Sequence, residues 1–352
     1  MNSMHKPRCR RVGQALGVLA VLALGRSVTT HAESAAVPKI DYIFTGQISL
    51  GAPASNDYLT FDPVNRRLYV AHFDQVTVVD VAKRTIVGSV GPIKDSHGIA
   101  LVPKLGKGYA SSGDDGVLKV FNLSDLKIIK QIKGSPDADG VLYDEHTGSV
   151  LVVAGDSKNL TVIDPTNDTV ARTVTLPGTP EFLAIDGAGK VYVNIADIAS
   201  LSKVDIASGT VEATWPLQNC KDPHGLAYDA PSNHLFSGCS NSRLVVVDAS
   251  DGRNLANLPI GSYSDSIAVD SHRRLAFASN GPGTLTAISI ESNSVVQTVP
   301  TFFGGRNMTI DPGTGALFVS HGHMKIVGST KDPLNLRFGW DGIDIATFEP
   351  RP

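Results

Sequence analysis

The sequence predicts an all-β protein, a seven-bladed β-propeller whose last blade is closed by the N-terminal strand. Three observations predict it. The 352-residue chain has 34 glycines and 20 prolines but only 6% aromatic residues, which is typical of many short strands joined by turns. A strand–turn–strand phrase recurs seven times, with a step of 40 to 43 residues. The seventh copy is one strand short, and an unpaired strand precedes the first copy.

Each phrase opens with a short apolar strand. These first strands are YLTFD (58–62), GIALV (98–102), GVLYD (140–144), FLAID (182–186), GLAYD (225–229), SIAVD (266–270) and NMTID (307–311). Second strands follow, from RLYVAH (67–72) to ALFVSH (316–321), and third strands such as VTVVD (76–80) and LVVVD (244–248) end in aspartate. Apolar or alternating runs bounded by turn residues are typical of buried and half-buried strands, so each phrase predicts one blade.

The seventh blade is predicted to close the ring. After ALFVSH only GIDIATF (342–348) remains as a strand. We expect YIFTGQISL (42–50) to pair with it, because this pairing completes the blade and covers an edge that could aggregate. The connection 322–341 is the longest in the chain, and we expect it to act as a partial lid over the channel mouth.

The N-terminus predicts export. Basic residues between positions 5 and 11 precede an apolar stretch at 12–24, and Thr30-His31-Ala32 fits a small-residue cleavage site. We therefore assign 1–32 to a signal peptide and 33–352 to a single propeller domain of a periplasmic or secreted protein. The general secretory and twin-arginine routes both remain open.

Charge and hydropathy exclude two classes of partner. Five of the 31 basic residues and none of the 34 acidic residues lie in the signal, so the mature chain has a net charge of −8. Nucleic-acid binding is not expected, because its basic footprint is absent. No apolar run approaches the roughly 20 residues of a membrane span, so the mature chain is expected to have none. A monomer is the expected assembly.

The cysteines agree with an oxidising compartment. Cys220 and Cys239 are the two cysteines that remain after signal removal, and we predict that they form a disulfide. Two free buried thiols are the alternative. A zinc or haem site built on cysteine is not expected, because the chain has no paired-cysteine motif.

Several phrases match a known repeat pattern. They are YVAH (69–72), YVNI (192–195), strand endings VVD and VID, DPHGLAYD (222–229) and LFSGCSNSRLVVVDASDG (235–252). With these phrases, nearly all of the mature chain resembles the YVTN-repeat, YncE-like family of exported bacterial β-propellers. The resemblance implies a periplasmic or surface propeller. It does not imply one ligand, since the family's ligands vary and are mostly undefined.

Two columns of residues differ in character when the repeats are aligned. The aspartate that ends the first strand is predicted to be structural, because aspartate before a tight turn caps its own backbone. Five positions earlier every repeat carries an ionisable residue. This second column is Asp57, His97, Asp139, Glu181, His224, Asp265 and Arg306. Since the first strand of a blade begins at one mouth of the central channel, these side chains are predicted to form a ring there.

The ring has two interpretations. It is either a self-neutralising electrostatic collar that holds the blades in register, or a ligand or metal site. Second strands return to the same mouth, where His72 and His321 end two of them. With His97 and Asp57 they form a candidate site for at most one divalent transition metal ion. Propellers resembling this one can assemble metal sites from channel histidines. The alternative for His72 and His321 is a polar strand end hydrogen-bonded to the next turn.

Three functions remain open from the sequence. The first hypothesis is an exported propeller that binds a small ligand, an ion or a partner protein at the channel mouth. The second is a metal-assisted lyase or lactonase with His97 or His224 as general base. The third is a passive interaction scaffold that uses the outer blade surfaces. Nucleophile-elbow, phosphate-loop and calcium-loop motifs are missing from the sequence.

Overall fold

The computed structural model describes residues 41–327 and 337–351. In this part of the chain, 28 strands form seven four-stranded antiparallel sheets around a central channel, with two short 3-10 turns and no α-helix. The prediction of an all-β, seven-bladed propeller is confirmed. The predicted signal peptide, residues 1–32, lies outside the described residues.

The strands have the following bounds. The N-terminal strand and the first three blades contain β1 (Asp41–Gly51), β2 (Leu59–Asp62), β3 (Arg67–His72), β4 (Gln75–Asp80), β5 (Thr85–Val90), β6 (Ser96–Val102), β7 (Lys107–Ser112), β8 (Val117–Asn122), β9 (Ile128–Lys133), β10 (Ala138–Asp144), β11 (Ser149–Ala154), β12 (Asn159–Asp164) and β13 (Thr169–Thr175). The next three blades contain β14 (Pro180–Ile185), β15 (Lys190–Ile195), β16 (Ser200–Asp205), β17 (Thr210–Pro216), β18 (Pro223–Asp229), β19 (His234–Cys239), β20 (Arg243–Asp248), β21 (Asn254–Pro259), β22 (Ser266–Asp270), β23 (Leu275–Asn280), β24 (Thr284–Ser289) and β25 (Ser294–Pro300). The seventh blade contains β26 (Asn307–Ile310), β27 (Leu317–Val327) and β28 (Arg337–Arg351). The 3-10 turns are Pro103–Leu105 and Ala196–Ile198.

The N-terminal strand closes the ring as predicted. The seventh sheet has the order β1-β28-β27-β26, so β1 is its outer strand. Ile48 is opposite Ile345, and Tyr42 is opposite Pro350. Tyr42 is buried, and its ring meets that of Phe277 in the sixth blade edge to face, with centroids 4.7 Å apart. The strand therefore contributes core contacts as well as a covered edge.

The predicted connection at 322–341 is mostly strand. β27 continues to Val327 and β28 begins at Arg337, and their pairing extends to the Val327–Arg337 pair. Residues 328–336 lie outside the described residues. The sequence-based boundary is wrong because the repeat pattern ends the second strand at His321, whereas β27 and β28 go on pairing beyond the blade. The lid role stays a prediction.

The core is divided among the blade interfaces. In the described part of the chain, seven apolar clusters lie one at each of the seven contacts between neighbouring blades. The cluster between the seventh and first blades, for example, joins Ile345 of β28 to Phe61 and Val70. Because burial of apolar area favours every interface, the blades hold one another in a closed ring.

The aspartate column is structural, as predicted. Asp62 accepts backbone hydrogen bonds from Val64 at 2.9 Å and Asn65 at 3.1 Å, so it caps its own turn. The column also links blades, which the sequence did not indicate. Asp229 of the fifth blade is fully buried and pairs with Arg274 of the sixth at 2.7 Å.

The predicted disulfide is present. Cys220 and Cys239 are bonded, and their Cα atoms lie 5.5 Å apart. The bond ties the segment that enters β18 to the end of β19, next to the channel mouth. Within residues 41–327 and 337–351, no helix is long and apolar enough to cross a membrane.

Candidate functional site

The predicted ring lies where the first strands begin. His97, Asp139, Glu181 and His224 are each the second residue of their strand, in β6, β10, β14 and β18. The other three members, Asp57, Asp265 and Arg306, come just before β2, β22 and β26. Short contacts join neighbours in two groups. The first sector comprises Asp57, Asp95, His97 and Asp139; the second comprises Glu181, Asp222, His224 and Asp265.

In the first sector, carboxylates surround the imidazole of His97. Its Nδ1 lies 2.5 Å from Asp57 Oδ2 and 3.6 Å from Asp139 Oδ1, and its Nε2 lies 3.2 Å from Asp95 Oδ2. Burial opposes the charge on His97, but the hydrogen bond and charge of Asp57, helped by Asp139, raise the pKa of His97 to about 10. Burial and the charge of Asp57 raise the pKa of Asp139 well above its usual range.

The second sector repeats this arrangement. His224 Nδ1 lies 3.1 Å from Glu181 Oε2 and 3.9 Å from Asp265 Oδ1, and its Nε2 lies 3.1 Å from Asp222 Oδ2. Burial opposes the charge on His224, but the hydrogen bond and charge of Glu181, helped by Asp265, raise its pKa to about 9. The sector also holds a permanent cation, since Arg306 Nε lies 2.8 Å from Asp265 Oδ2. Burial raises the pKa of Asp265 to about 6, although Arg306 and His224 lower it.

The same local backbone places both histidines. Asp95 and Asp222 adopt the left-handed conformation, with φ of 58° and 53°, and each precedes its histidine by two residues. A glycine follows each histidine, where the next blade comes very close. A Cβ on Gly98 would lie 2.5 Å from the backbone nitrogen of Val141 and closer still to the carbonyl oxygen of Asp139. The glycine therefore lets the next first strand approach the histidine.

Two aromatic side chains form a floor beneath the seven ionisable residues of the ring. Tyr58 of the first blade and Phe182 of the fourth meet across the channel, with centroids 4.5 Å apart. Burial, followed by the charges of four ring carboxylates, raises the pKa of Tyr58 well above its usual range. A channel cavity of about 360 Å³, lined mainly by apolar residues of the first strands, contains both aromatic side chains in its wall. The mouth is therefore a shallow acidic cup.

Two of the predicted metal ligands do not join the ring. His72 is fully buried, and its nitrogens lie 3.0 Å from Thr77 Oγ1 and 2.7 Å from the Pro53 carbonyl oxygen. His321 stacks on Phe302 at 4.2 Å, and its Nδ1 lies 3.2 Å from a backbone oxygen. The structure thus favours the alternative of a hydrogen-bonded strand end for His72. Strand ends that return to one mouth need not point into the channel.

Different residues meet with metal-ligand spacing. Among the described residues, the one group of three or more candidate ligands whose donor atoms all lie within 4.8 Å of one another is Asp57, His97 and Asp139. Two of these belong to the predicted metal set, whereas Asp139 had been placed only in the ring. The site is built from neighbouring first strands, not from first and second strands together.

Sequence reasoning missed Asp95 and Asp222, which hold the outer nitrogens of the two histidines. They lie outside the aligned ring column, so the column could not reveal them. A local signal was available, since Asp-x-His-Gly occurs at both 95–98 and 222–225. The related Asp-x-Asp-Gly occurs at 137–140, in the blade that supplies Asp139.

The chain matches no protein-family model, and it matches none of the curated proteins. Many solved structures do match it. One is Kuenenia stuttgartiensis hydrazine synthase, which is 15% identical, with a TM-score of 0.70, over 80% of this chain and 96% of that chain. At this identity the likeness shows the fold alone. The resemblance to YVTN-repeat propellers remains a sequence-based prediction.

The charged ring predicts a loss of stability at alkaline pH. The pKa of His224 is raised from 6.5 to about 9 on folding, so its stabilisation is complete below pH 6.5 and is lost as the pH rises through 9. The shift corresponds to roughly 3 kcal/mol. We expect the difference in unfolding free energy between wild type and His224→Gln to shrink by about this amount between pH 6.5 and 10 in urea titrations. A difference that stays constant over this range would contradict the assignment.

Proposed function

We propose that the protein is an exported binding propeller that captures a small, positively charged ligand at the channel mouth. The observation that carries this proposal is the charge balance of the two sectors and their arginine. Six carboxylates surround three cationic side chains. The carboxylates belong to Asp57, Asp95, Asp139, Glu181, Asp222 and Asp265, and the cations to His97, His224 and Arg306. The cluster stays net negative even when Asp139, whose pKa is raised by burial and by the charge of Asp57, is left out of the count, and a partly buried net negative cluster favours a cation.

The depth of these groups favours a small ligand over a partner protein. The ring carboxylates and imidazoles are between 11% and 25% exposed, so they are recessed below the surface. Tyr58 and Phe182 close the channel beneath them. A ligand therefore enters from one side and stops at the aromatic floor. Beside the cup, a cavity of about 270 Å³ bounded by Arg306 and Trp340 gives room for the rest of an organic ligand.

The geometry supports binding better than the catalytic alternative. A lyase or lactonase mechanism would use His97 or His224 as general base. In both imidazoles, each of the two nitrogens has its own carboxylate close by. The raised pKa of His97 and of His224 keeps these side chains protonated near neutral pH. A protonated imidazole donates protons and cannot accept one. A role as a passive scaffold would leave this cluster of charges unused.

Export is part of the proposal. The signal peptide at 1–32 is a sequence prediction, and the Cys220–Cys239 disulfide is consistent with an oxidising compartment such as the periplasm or the extracellular space. We propose that binding takes place there.

A charge-neutralisation experiment tests the proposed function. Wild-type protein is titrated with Zn²⁺, Co²⁺, Ni²⁺ and 1,4-diaminobutane, with binding followed by calorimetry and thermal shift. We expect at least one of these cations to bind, and Asp139→Asn/Glu181→Gln to weaken its binding at least tenfold, because the substitutions remove one carboxyl group from each sector.

The matched control is Asp125→Asn/Glu145→Gln. It makes the same two kinds of substitution in exposed turns at the opposite end of the blades. This variant should bind like wild type. Equal weakening in both double variants would show a general charge effect, and wild type that binds no member of the panel would reject the proposal.

A further inference from the structure

We infer that the first sector is a metal site, in which Asp57, His97 and Asp139 bind one divalent transition metal ion. This inference rests on the proposed function and names its ligand class. Three protein ligands leave at least one coordination position for water or for a further ligand. One imidazole nitrogen with two carboxylate oxygens suits zinc and neighbouring first-row metals.

The distances fit a shared ion. Ligand atoms about 2.0–2.2 Å from a tetrahedral ion lie on the order of 3.5 Å apart. His97 Nδ1 and Asp139 Oδ1 are 3.6 Å apart, and all three donor atoms lie within 4.8 Å of one another. Asp57 Oδ2, 2.5 Å from His97 Nδ1, would have to move away by about 1 Å, which a carboxylate can do by side-chain rotation.

The neighbours of the ligands already orient them. Asp95 Oδ2 lies 3.2 Å from His97 Nε2, so the outer nitrogen can keep its proton for that bond, while the ion displaces the proton on Nδ1 and binds there. Carboxylate–histidine–metal chains of this kind are typical of protein metal sites. Asn307 Nδ2 donates to Asp57 Oδ1 at 3.3 Å, which leaves the other oxygen of Asp57 for the ion.

The two sectors differ in the positive charge that already neutralises their carboxylates, and this difference favours the first sector as the metal site. In the second sector the guanidinium of Arg306 takes up a carboxylate of the cluster, and its charge repels a second cation. Among the described residues, no lysine or arginine pairs with Asp57 or Asp139. Asp139 Oδ1 is buried and has no hydrogen-bond partner. The first sector therefore has a buried carboxylate oxygen that an external cation would satisfy, and of the two sectors only the second contains a permanently charged cation.

The test compares matched variants of the two sectors. Mature protein is stripped with a chelator and titrated with Zn²⁺ by calorimetry, and with Co²⁺ by visible absorption. We expect one ion per chain. His97→Gln and Asp139→Asn should each weaken binding at least 100-fold, and Asp95→Asn should weaken it 10- to 100-fold through the orientation of His97. His224→Gln and Glu181→Gln in the second sector change the charge of the cup but remove no metal ligand, so each should change the affinity for Zn²⁺ less than tenfold.

Melting curves of the apoproteins separate loss of binding from loss of fold. Asp139→Asn replaces a buried carboxyl group whose Oδ1 has no hydrogen-bond partner and should melt no lower than wild type, so it tests the site even if His97→Gln folds poorly. Wild type that binds neither Zn²⁺ nor Co²⁺ would overturn the inference. Equal losses in His97→Gln and His224→Gln would also overturn it. If 1,4-diaminobutane binds and the metals do not, the metal site fails while the proposed cationic ligand stands; if nothing binds, both fail.

Discussion

Deletion of residues 33–50 from the mature chain should abolish the stable fold or lower its melting temperature by more than 10 °C. The deletion removes β1 and with it the buried side chains of Tyr42, Ile48 and Leu50. Loss of three such side chains costs on the order of 5–8 kcal/mol. This is comparable to the whole stability of a typical domain. The deletion also exposes the edge of β28, so aggregation is expected as well.

A circular permutant is the matched control. Asp41 is opposite Arg351 at the end of the β1–β28 ladder, so residues 41–51 can be attached after Arg351 through a short glycine-serine turn. The permutant places the same strand in the same blade and should recover most of the lost stability. Calorimetry compares the melting temperatures of wild type, the deletion variant and the circular permutant. A truncated protein that melts with wild type would contradict the closure of the ring by β1.

Gly98→Ala should destabilise the protein by about 2–3 kcal/mol and disturb the first sector at the same time. The new methyl group would meet the backbone of Asp139 and Val141, which cannot move without shifting the neighbouring blade. Because Asp139 belongs to the site, the same shift should separate its carboxylate from His97 and weaken cation binding. Urea unfolding and Zn²⁺ titration measure the two effects on one variant.

Gly313→Ala gives the control for this prediction. Gly313 lies in an exposed turn, and a Cβ there would meet one atom at 3.4 Å, an ordinary contact. This variant should stay within about 0.5 kcal/mol of wild type and keep its cation affinity. If both glycine variants have the same small effect, the close approach of the two blades at Gly98 is not the constraint described above.

Repetition explains why the fold could be predicted. A single strand pair such as 67–80 has many possible partners, but seven copies at one spacing leave a closed ring as the natural way to bury every face. The missing outer strand of the seventh copy and the extra strand at 42–50 then fix the closure. The extension of β27 and β28 to Val327 and Arg337 was not predictable this way, because it occurs in one blade and has no counterpart in the repeat.

The sequence predicts which residues lie at the channel mouth, but it does not predict which of their side chains are in contact. Aligned columns show which side chains begin the first strands, so His97 and Asp139 were placed at one mouth. Columns carry no information on rotamers, which is why His72 was expected to join them although its ring bonds to Thr77 and Pro53. The role of Asp95 depends on a left-handed turn two residues before the histidine; the repeated Asp-x-His-Gly motif marks the position, and the backbone conformation shows the contact it makes possible.

Anomalous X-ray diffraction can show directly whether the first sector binds a metal ion. Crystals of the mature protein grown with Zn²⁺ are measured on both sides of the zinc absorption edge. We predict one anomalous peak at the channel mouth, about 2.0–2.2 Å from the donor atoms of Asp57, His97 and Asp139. A channel mouth without a peak, or a peak next to His72 and His321 instead, would contradict a metal site in the first sector.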